Sequence, residues 1–144
     1  VIREYQSGDM QWLWNCYKNY LPELNLRSPI SGFSQFADAV EKDKTFIYNN
    51  ENINCGFITS FVDEGSPWIW TVVVRLDWQN KGIATRLINK VEEHYKNLGY
   101  SHICLYVADD NPAQKLYFDL GYRVVRVMKG VYGDKPALKM VKYF

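Results

Sequence analysis

The segment from Trp68 to Val107 constrains the fold more than any other part of the chain. Residues 68–74 are dense in β-branched and aromatic side chains, the composition of a strand. Ile83, Leu87, Ile88, Val91 and Tyr95 then recur at helical spacing and mark one face of a long helix that begins near Gly82. Gly99 is well placed to stop that helix, because glycine accepts the left-handed conformation a helix end often needs. Ile103, Leu105 and Val107 alternate as a buried strand. An amphipathic helix between two such strands has to bury its apolar stripe on a sheet.

The flanks extend this pattern. Residues 1–5 alternate as a first strand, and Ser7-Gly8-Asp9 offers turn and cap chemistry. Leu13, Cys16, Tyr17 and Tyr20 fall at helical spacing, and Pro22 ends that helix. A looser stretch through Pro29 and Gly32 leads to a second short helix over residues 33–40. Strands follow over 45–48 and 53–62, separated by the turn Asn49-Asn50-Glu51-Asn52, and Asp63-Glu64-Gly65-Ser66 turns the chain into the strand over 68–74. Further on, Asn111 can cap a helix with Pro112 at its first position. Ala113, Leu116, Tyr117 and Leu120 supply its stripe, and Gly121 ends it. Residues 124–131 and 138–143 form a closing hairpin across Gly133-Asp134-Lys135-Pro136. The expected fold class is α/β: a twisted mixed sheet of about six to seven strands with helices on both faces, residues 1–144 forming a single domain.

Composition narrows the partners. Hydrophobic residues make up 47% and charged residues 23%, which is globular rather than disordered. The formal net charge is +1 and no face or block is strongly basic, so nucleic acid is not the expected partner. No run of about 18 apolar residues exists to form a membrane span, and no basic start precedes an apolar stretch as in a signal peptide. Cys16, Cys55 and Cys104 are far apart and lack metal-ligand spacing, so no metal is expected. They read as small buried hydrophobes in a reducing, cytoplasmic setting. Aromatic residues reach 16%, enough to line a cleft as well as a core.

Two motifs carry the chemistry. Gln79-Asn80-Lys81-Gly82-Ile83-Ala84 joins a strand to the start of the long helix. Small residues at 82 and 84 let a ligand approach the backbone closely. The first-turn N–H groups have no partner within the helix and carry partial positive charge, a ready site for a pyrophosphate. Lys81 adds one positive charge. The same residues would also serve as an ordinary strand-to-helix turn. The second motif is Ala113-x-x-Leu116-Tyr117-x-x-x-Gly121-Tyr122, which taken alone is also the pattern of a core helix.

Taken together, in the order strand, Q-x-x-G-x-A, long helix, strand, A-x-x-L-Y-x-x-x-G-Y, the stretch from Trp68 to Tyr122 closely resembles the Gcn5-related N-acetyltransferase (GNAT) superfamily. The resemblance implies acetyl-CoA as acyl donor and a primary amine as acceptor, on a small molecule, a peptide N-terminus or a lysine. It implies that Val72, Val73 and Val74 lie on a strand that splays from its neighbour at a bulge. The backbone of that strand would pair with the pantetheine arm and offer an N–H to the thioester oxygen. The backbone of Gln79, Asn80, Lys81, Gly82, Ile83, Ala84 and Thr85 would hold the CoA pyrophosphate. Tyr117 matches the tyrosine that protonates the departing thiolate, a role suited to a phenol of reference pKa about 10.

The sequence departs from the family pattern at two places. Where relatives carry an Asn three residues before the motif alanine, Asp110 stands here and Asn111 comes next. Asn111 either contacts CoA or only caps its helix. No general base is evident: the positions where relatives carry a glutamate fall on Trp68 and on Leu105 or Tyr106. Tyr106 as a water relay, and Glu23, Asp63, Glu64, His102 and Asp109, are the polar candidates. Trp12, Trp14, Tyr17, Tyr20, Phe33 and Phe36 divide between core and the floor of an acceptor cleft. A non-catalytic acyl-CoA-binding module is the alternative to an enzyme. A nucleotide-phosphate binder finds no G-x-x-x-x-G-K-[ST] pattern to support it. The alternating final strand reads as a sheet edge at which a second copy could pair to give a homodimer.

Overall fold

The computed structural model describes residues 1–20, 33–131 and 133–144, without the side chains of residues 19 and 20. The expected helix stop at Pro22, and with it Glu23, Pro29 and Gly32, lies outside the described residues, as does the side chain of Tyr20. In chain order the elements are β1 (Ile2–Glu4), α1 (Met10–Tyr20), α2 (Phe33–Lys42), β2 (Lys44–Asn50), β3 (Ile53–Asp63), β4 (Ser66–Val74), α3 (Ile83–Asn97), β5 (His102–Ala108), α4 (Ala113–Asp119), β6 (Arg123–Gly130) and β7 (Gly133–Tyr143). Short 3₁₀ turns at Ser7–Asp9 and Leu76–Trp78 lead toward α1 and α3.

The strands form one seven-stranded sheet in the order β1-β2-β3-β4-β5-β7-β6. The β4–β5 pair is parallel, and every other neighbouring pair is antiparallel. A parallel neighbour cannot be reached by a tight turn, so the chain crosses over the sheet through α3. The α3 stripe, Ile83, Leu87, Ile88, Val91 and Tyr95, is buried against Ile58 of β3, Ile69 of β4, Ile103, Leu105 and Val107 of β5, and Met140 of β7. Alternate residues of the same sheet face the other way. Ile47, Phe57 and Val73 pack there with Leu13, Cys16 and Tyr17 of α1 and Phe36 and Val40 of α2. The sheet is thus covered by helices on both faces.

Two irregularities in β4 shape the sheet around it. Thr59 pairs with Thr71 but Ser60 pairs with Ile69, leaving Trp70 as the extra residue of a β-bulge. β4 and β5 pair only at Trp68–Cys104 and Ile69–Leu105, after which their ladder stops while β4 stays paired to β3 as far as Val74. The approach of β3 to β4 is close at Gly56, where a Cβ would sit 2.6 Å from the Val73 carbonyl oxygen and 3.3 Å from the Val74 Cα.

Two expectations from the sequence need correction. The closing hairpin does not turn across residues 133–136: Gly130 pairs with Gly133, and residues 133–136 already belong to β7. Gly130 and Gly133 take φ of 85° and 64°, in the left-handed region that glycine enters at no steric cost, so they set the turn. Pro136 is accommodated beside a register shift of β6, where a missing donor does no harm. Nor is the last strand an edge. β7 is hydrogen-bonded to β5 on one side and β6 on the other, so it has no free edge for a second copy. The outer strand at this end of the sheet is β6, with Val124, Val125 and Val127 exposed; β1 is the outer strand at the other end.

β1 is fastened to the entry of α1 by charge. Arg3 donates two hydrogen bonds to the Asp9 carboxylate, each of 2.8 Å, and the Gln6 N–H donates to the same group at 2.9 Å. Hydrogen bonding to Arg3 is the main cause that holds the Asp9 carboxyl below the ordinary carboxylate range. A lowered pKa adds stability above the unfolded-state value, and that stability is lost as pH falls through the folded-state value. Asp9→Asn should therefore lower stability at pH 7 by about 1–3 kcal/mol, and the gap to wild type should close as the pH drops below the carboxylate range. Urea unfolding of both proteins at several pH values checks this. A second expectation concerns Gly56. Gly56→Ala forces β3 from β4 and should lower stability by about 1–3 kcal/mol, which thermal unfolding will show.

Candidate functional site

The parting of β4 from β5 opens a cavity of about 810 Å³. One wall is β4 beyond the bulge, with Trp70, Thr71, Val72 and Val74. The facing wall is Tyr106 and Val107 of β5, with Asn111, Leu116 and Tyr117 of the α4 region. The 3₁₀ turn and the start of α3 close one end, through Trp78, Gln79, Asn80, Gly82, Ile83, Ala84 and Thr85. Tyr17 of α1 also lines the cavity. A cleft where two parallel strands separate, at the N-terminus of the crossover helix, is a common place for ligands in α/β folds.

The turn at the end of β4 is built for close approach. Asn80 and Gly82 both take positive φ, 63° and 78°. A Cβ on Gly82 would meet nothing within 4 Å, so the space before the helix is open. Asparagine is among the few side chains that tolerate the left-handed region, and glycine needs no tolerance. Gly82 immediately precedes α3, so the N–H groups of Ile83, Ala84 and Thr85 lie in the first turn and have no i−4 carbonyl of the helix to bind. The Gln79 side chain donates to the Val74 carbonyl at 3.0 Å and fastens the turn to the end of β4.

Across the cavity, α4 begins in the way its sequence predicts. The Asn111 side-chain oxygen accepts from the Ala113 N–H at 2.9 Å, and Pro112 already has helical dihedrals with φ of −63°. Asn111 thus caps its helix and lines the cavity at once. Asp110 does not line it; its carboxylate pairs with Lys135 at 3.1 Å. Tyr117 is half-buried, and its ring meets the edge of Tyr122 at a centroid distance of 5.9 Å.

Of the residues singled out in the sequence, the cavity gathers Val72, Val74, Gln79, Asn80, Gly82, Ile83, Ala84, Thr85, Asn111 and Tyr117. Val73 and Lys81 are not among its walls. Val73 is buried on the opposite face of the sheet, as alternation requires, and Lys81 lies over the Trp78 ring at 5.8 Å. Of the acceptor-side aromatics, Tyr17 reaches the cavity, while Phe36 and Trp14 pack behind it in a cluster that includes Trp70. Trp12 rests on Phe57, and Phe33 is exposed beside Trp14.

Trp70, Thr71 and Trp78 line the cavity but were not singled out in the sequence. Trp78 stands one residue before the Gln79 motif, and that adjacency was the available signal. Nothing in the sequence marks Trp70 as the residue that bulges.

The candidate bases do not converge on the site. Asp63, Glu64 and Asp109 are exposed and outside the cavity lining. His102 is bonded to Ser66 at 2.8 Å, also away from it. Trp68 stacks on Tyr106 at 4.8 Å, behind the wall rather than in it. Tyr106 is the polar candidate that does line the cavity. The described residues of the lining include no aspartate, glutamate, histidine, lysine or arginine.

Cysteine chemistry finds no support. All three cysteines are buried and unbonded to one another. Burial pushes the Cys16 thiol up to about 12, and it raises Cys55 and Cys104 as well, the opposite of activation. Among the described residues, no group of three or more His, Cys, Asp or Glu could hold a metal, and no helix is long and apolar enough to cross a membrane.

Comparison with known proteins identifies the family and agrees with the fold. The acetyltransferase (GNAT) family matches residues 10–122. An uncharacterized N-acetyltransferase of Methanocaldococcus jannaschii is 30% identical over 99% of this chain and 90% of its own length. The chloroplastic GCN5-related N-acetyltransferase 4 of Arabidopsis thaliana is 38% identical over 50% of this chain, a match that spans only 25% of that protein. Among solved structures, an aminoglycoside 6'-N-acetyltransferase complexed with coenzyme A superposes with a TM-score of 0.85 at 19% identity, covering 99% of this chain and 96% of its own. The chain belongs to the acetyltransferase (GNAT) family, as an acetyl-CoA-dependent acetyltransferase.

Proposed function

We propose that residues 1–144 act as one N-acetyltransferase domain, in which the cavity between β4 and β5 receives acetyl-CoA and passes its acetyl group directly to a primary amine. The observation that carries this reading is the continuity of one cavity, from the open turn at Gly82 along the unpaired stretch of β4 to Tyr117. The first turn of α3 holds the pyrophosphate, with its N–H groups and partial positive charge directed at the phosphates. Beyond the bulge, the free side of β4 at residues 72–74 lies along the pantetheine arm. Val73 contributes through its backbone only, since its side chain faces the other way.

Acetyl-CoA brings the thioester; the chain brings position and a proton. A backbone N–H of the 72–74 stretch stabilises the thioester oxygen as charge builds on it. The amine nitrogen forms the new C–N bond, the C–S bond breaks, the departing sulfur takes the Tyr117 hydroxyl proton, and the proton shed by the nitrogen passes to solvent water, from which the Tyr117 hydroxyl is restored. Proximity within the cavity replaces a covalent enzyme intermediate. The acceptor enters beside Tyr17, Trp70 and Tyr106, where aromatic walls favour the neutral form of an amine. Its class is a small-molecule amine, a peptide N-terminus or a lysine. The setting expected is cytoplasmic. A homodimer built by strand pairing would use β6, the exposed outer strand.

The rival to an enzyme, a non-catalytic acyl-CoA-binding module, would draw on the absence of a carboxylate among the described residues that line the cavity, and membership of an acetyltransferase family weighs against it. Two variants separate the readings. Gly82→Glu puts bulk and negative charge at the left-handed residue before α3, and should abolish acetyl-CoA binding by calorimetry. Binding of normal strength would place the phosphates elsewhere. Tyr117→Phe keeps the ring on its helix and removes the proton. It should slow acetyl transfer by about 10²–10⁴-fold while leaving the acetyl-CoA Kd and the Tm near wild type. Tight donor binding by the wild type with no transfer to any of a broad panel of amines would favour the binding module.

A further inference from the structure

Tyr122 is fully buried, and its hydroxyl donates to Oε2 of Glu92 at 2.7 Å. Glu92 sits on the buried face of α3 and is itself 8% exposed. Its other oxygen, Oε1, accepts from Nζ of Lys142 on β7 at 2.8 Å. Both carboxylate oxygens are thus engaged, which is the condition for a buried carboxylate to be tolerated. An apolar side chain would fill the same place between Ile88 and Tyr95 without needing partners. A buried ionic contact is weak evidence for stability, so its use has to be sought in what it aligns.

What it aligns is α4. No residue of that helix is fully buried, so its own packing holds it lightly. Its end is fixed through Tyr122 instead. The Tyr117 carbonyl accepts from the N–H groups of Leu120 and Tyr122 at 3.1 and 3.0 Å. Gly121, with φ of 103°, allows the chain to fold back for these bonds. The Lys142 stem lies over Gly121, its Cε 3.4 Å from where a Cβ would stand. The Tyr122 ring meets the Tyr117 ring edge to face. Tyr122 therefore touches Tyr117 by backbone and by ring, while its hydroxyl is tied to α3. That same helix carries, at its N-terminus, the turn that closes the cavity.

We propose that Tyr122 is a positioning residue: its hydroxyl bond to Glu92, a carboxylate also held by Lys142, sets where α4 places the Tyr117 hydroxyl relative to a donor anchored at the start of α3. This rests on the reading of Tyr117 as the proton donor. Tyr122 itself touches no reacting atom.

The experiment compares wild type, Tyr122→Phe, Tyr117→Phe and the double variant, measuring kcat at saturating substrates, acetyl-CoA Kd by calorimetry, and Tm. Tyr122→Phe should lower kcat by about tenfold while donor Kd changes by less than about twofold. In the Tyr117→Phe background the same change should alter kcat by less than about twofold, because no hydroxyl remains to be placed. Equal losses in both backgrounds would overturn the positioning role while leaving Tyr117 as the acid. So would a lower Tm with unchanged kcat, the mark of a merely structural bond. Should Tyr122→Phe prove unfolded at the assay temperature, Glu92→Gln is measured by the same comparison, since it leaves both rings in place. If Tyr117→Phe alone turns over like wild type, the acid assignment fails first and the positioning role falls with it.

Discussion

Everything about the cavity depends on one interruption of hydrogen bonding. β4 and β5 share a ladder only at Trp68–Cys104 and Ile69–Leu105. Beyond it the polar backbone of β4 faces a space where a strand would otherwise lie. A sheet does not leave such groups unpaired without a reason. Here the bulge at Trp70 turns β4 away from β5 while the other side of β4 remains paired to β3. The strands are held apart by packing on both sides: Val73 is locked among α1 and α2, and Val107 among α3 and its neighbours. The gap is therefore a rigid feature of the core rather than a loose loop. A ligand with an amide-bearing arm can complete the broken ladder.

The crossover helix then supplies the second half of the design. A parallel pair requires a long connection, and the connection must start where β4 ends. The start of α3 consequently lies at the mouth of the gap, and its first-turn N–H groups point toward the same space as the unpaired strand. Under the proposed function, affinity for the phosphates and for the arm would come from one topological fact. Close backbone approach at Gly56 belongs to the same arrangement, since it fixes how near β4 can lie to β3.

Much of this was legible in the sequence because it is written in local pattern. The α3 stripe, the glycines at 82, 99 and 121, and the Asn111-Pro112 start of α4 are short-range signals, and the structure shows each of them at work. The parts that were not legible are long-range. Strand order carries no local mark, so β7 looked like an edge when β6 takes that place. The last turn was misplaced because Pro136 is a stronger punctuation mark than Gly130 and Gly133, although a bulge lets it sit within a strand. Trp70 is one aromatic residue in a strand of them, and only the register against β3 reveals it as the extra one. Glu92 was detectable in principle: a charged residue four positions after Ile88 falls on the apolar face of α3, and such a residue implies partners elsewhere in the chain.

The chemistry of the cavity turns on where a proton can go. An amine attacks only when neutral, and a lysine-type amine of reference pKa about 10.4 is almost wholly charged at neutral pH. For an amine bound in the cavity as proposed, aromatic walls at Tyr17, Trp70 and Tyr106 would penalise that charge by removing water from around it. With Tyr117 as the proposed proton donor to the departing thiolate, the penalty falls on the amine. A carboxylate in the same walls would oppose the first effect, since it would stabilise the ammonium it is supposed to deprotonate. Under the proposed reading, an uncharged lining is a workable way to bring a neutral amine to the thioester. Its cost is weak attraction for the cationic amine in solution, so recognition of the acceptor has to come from the contacts made by the rest of that molecule rather than from its charge.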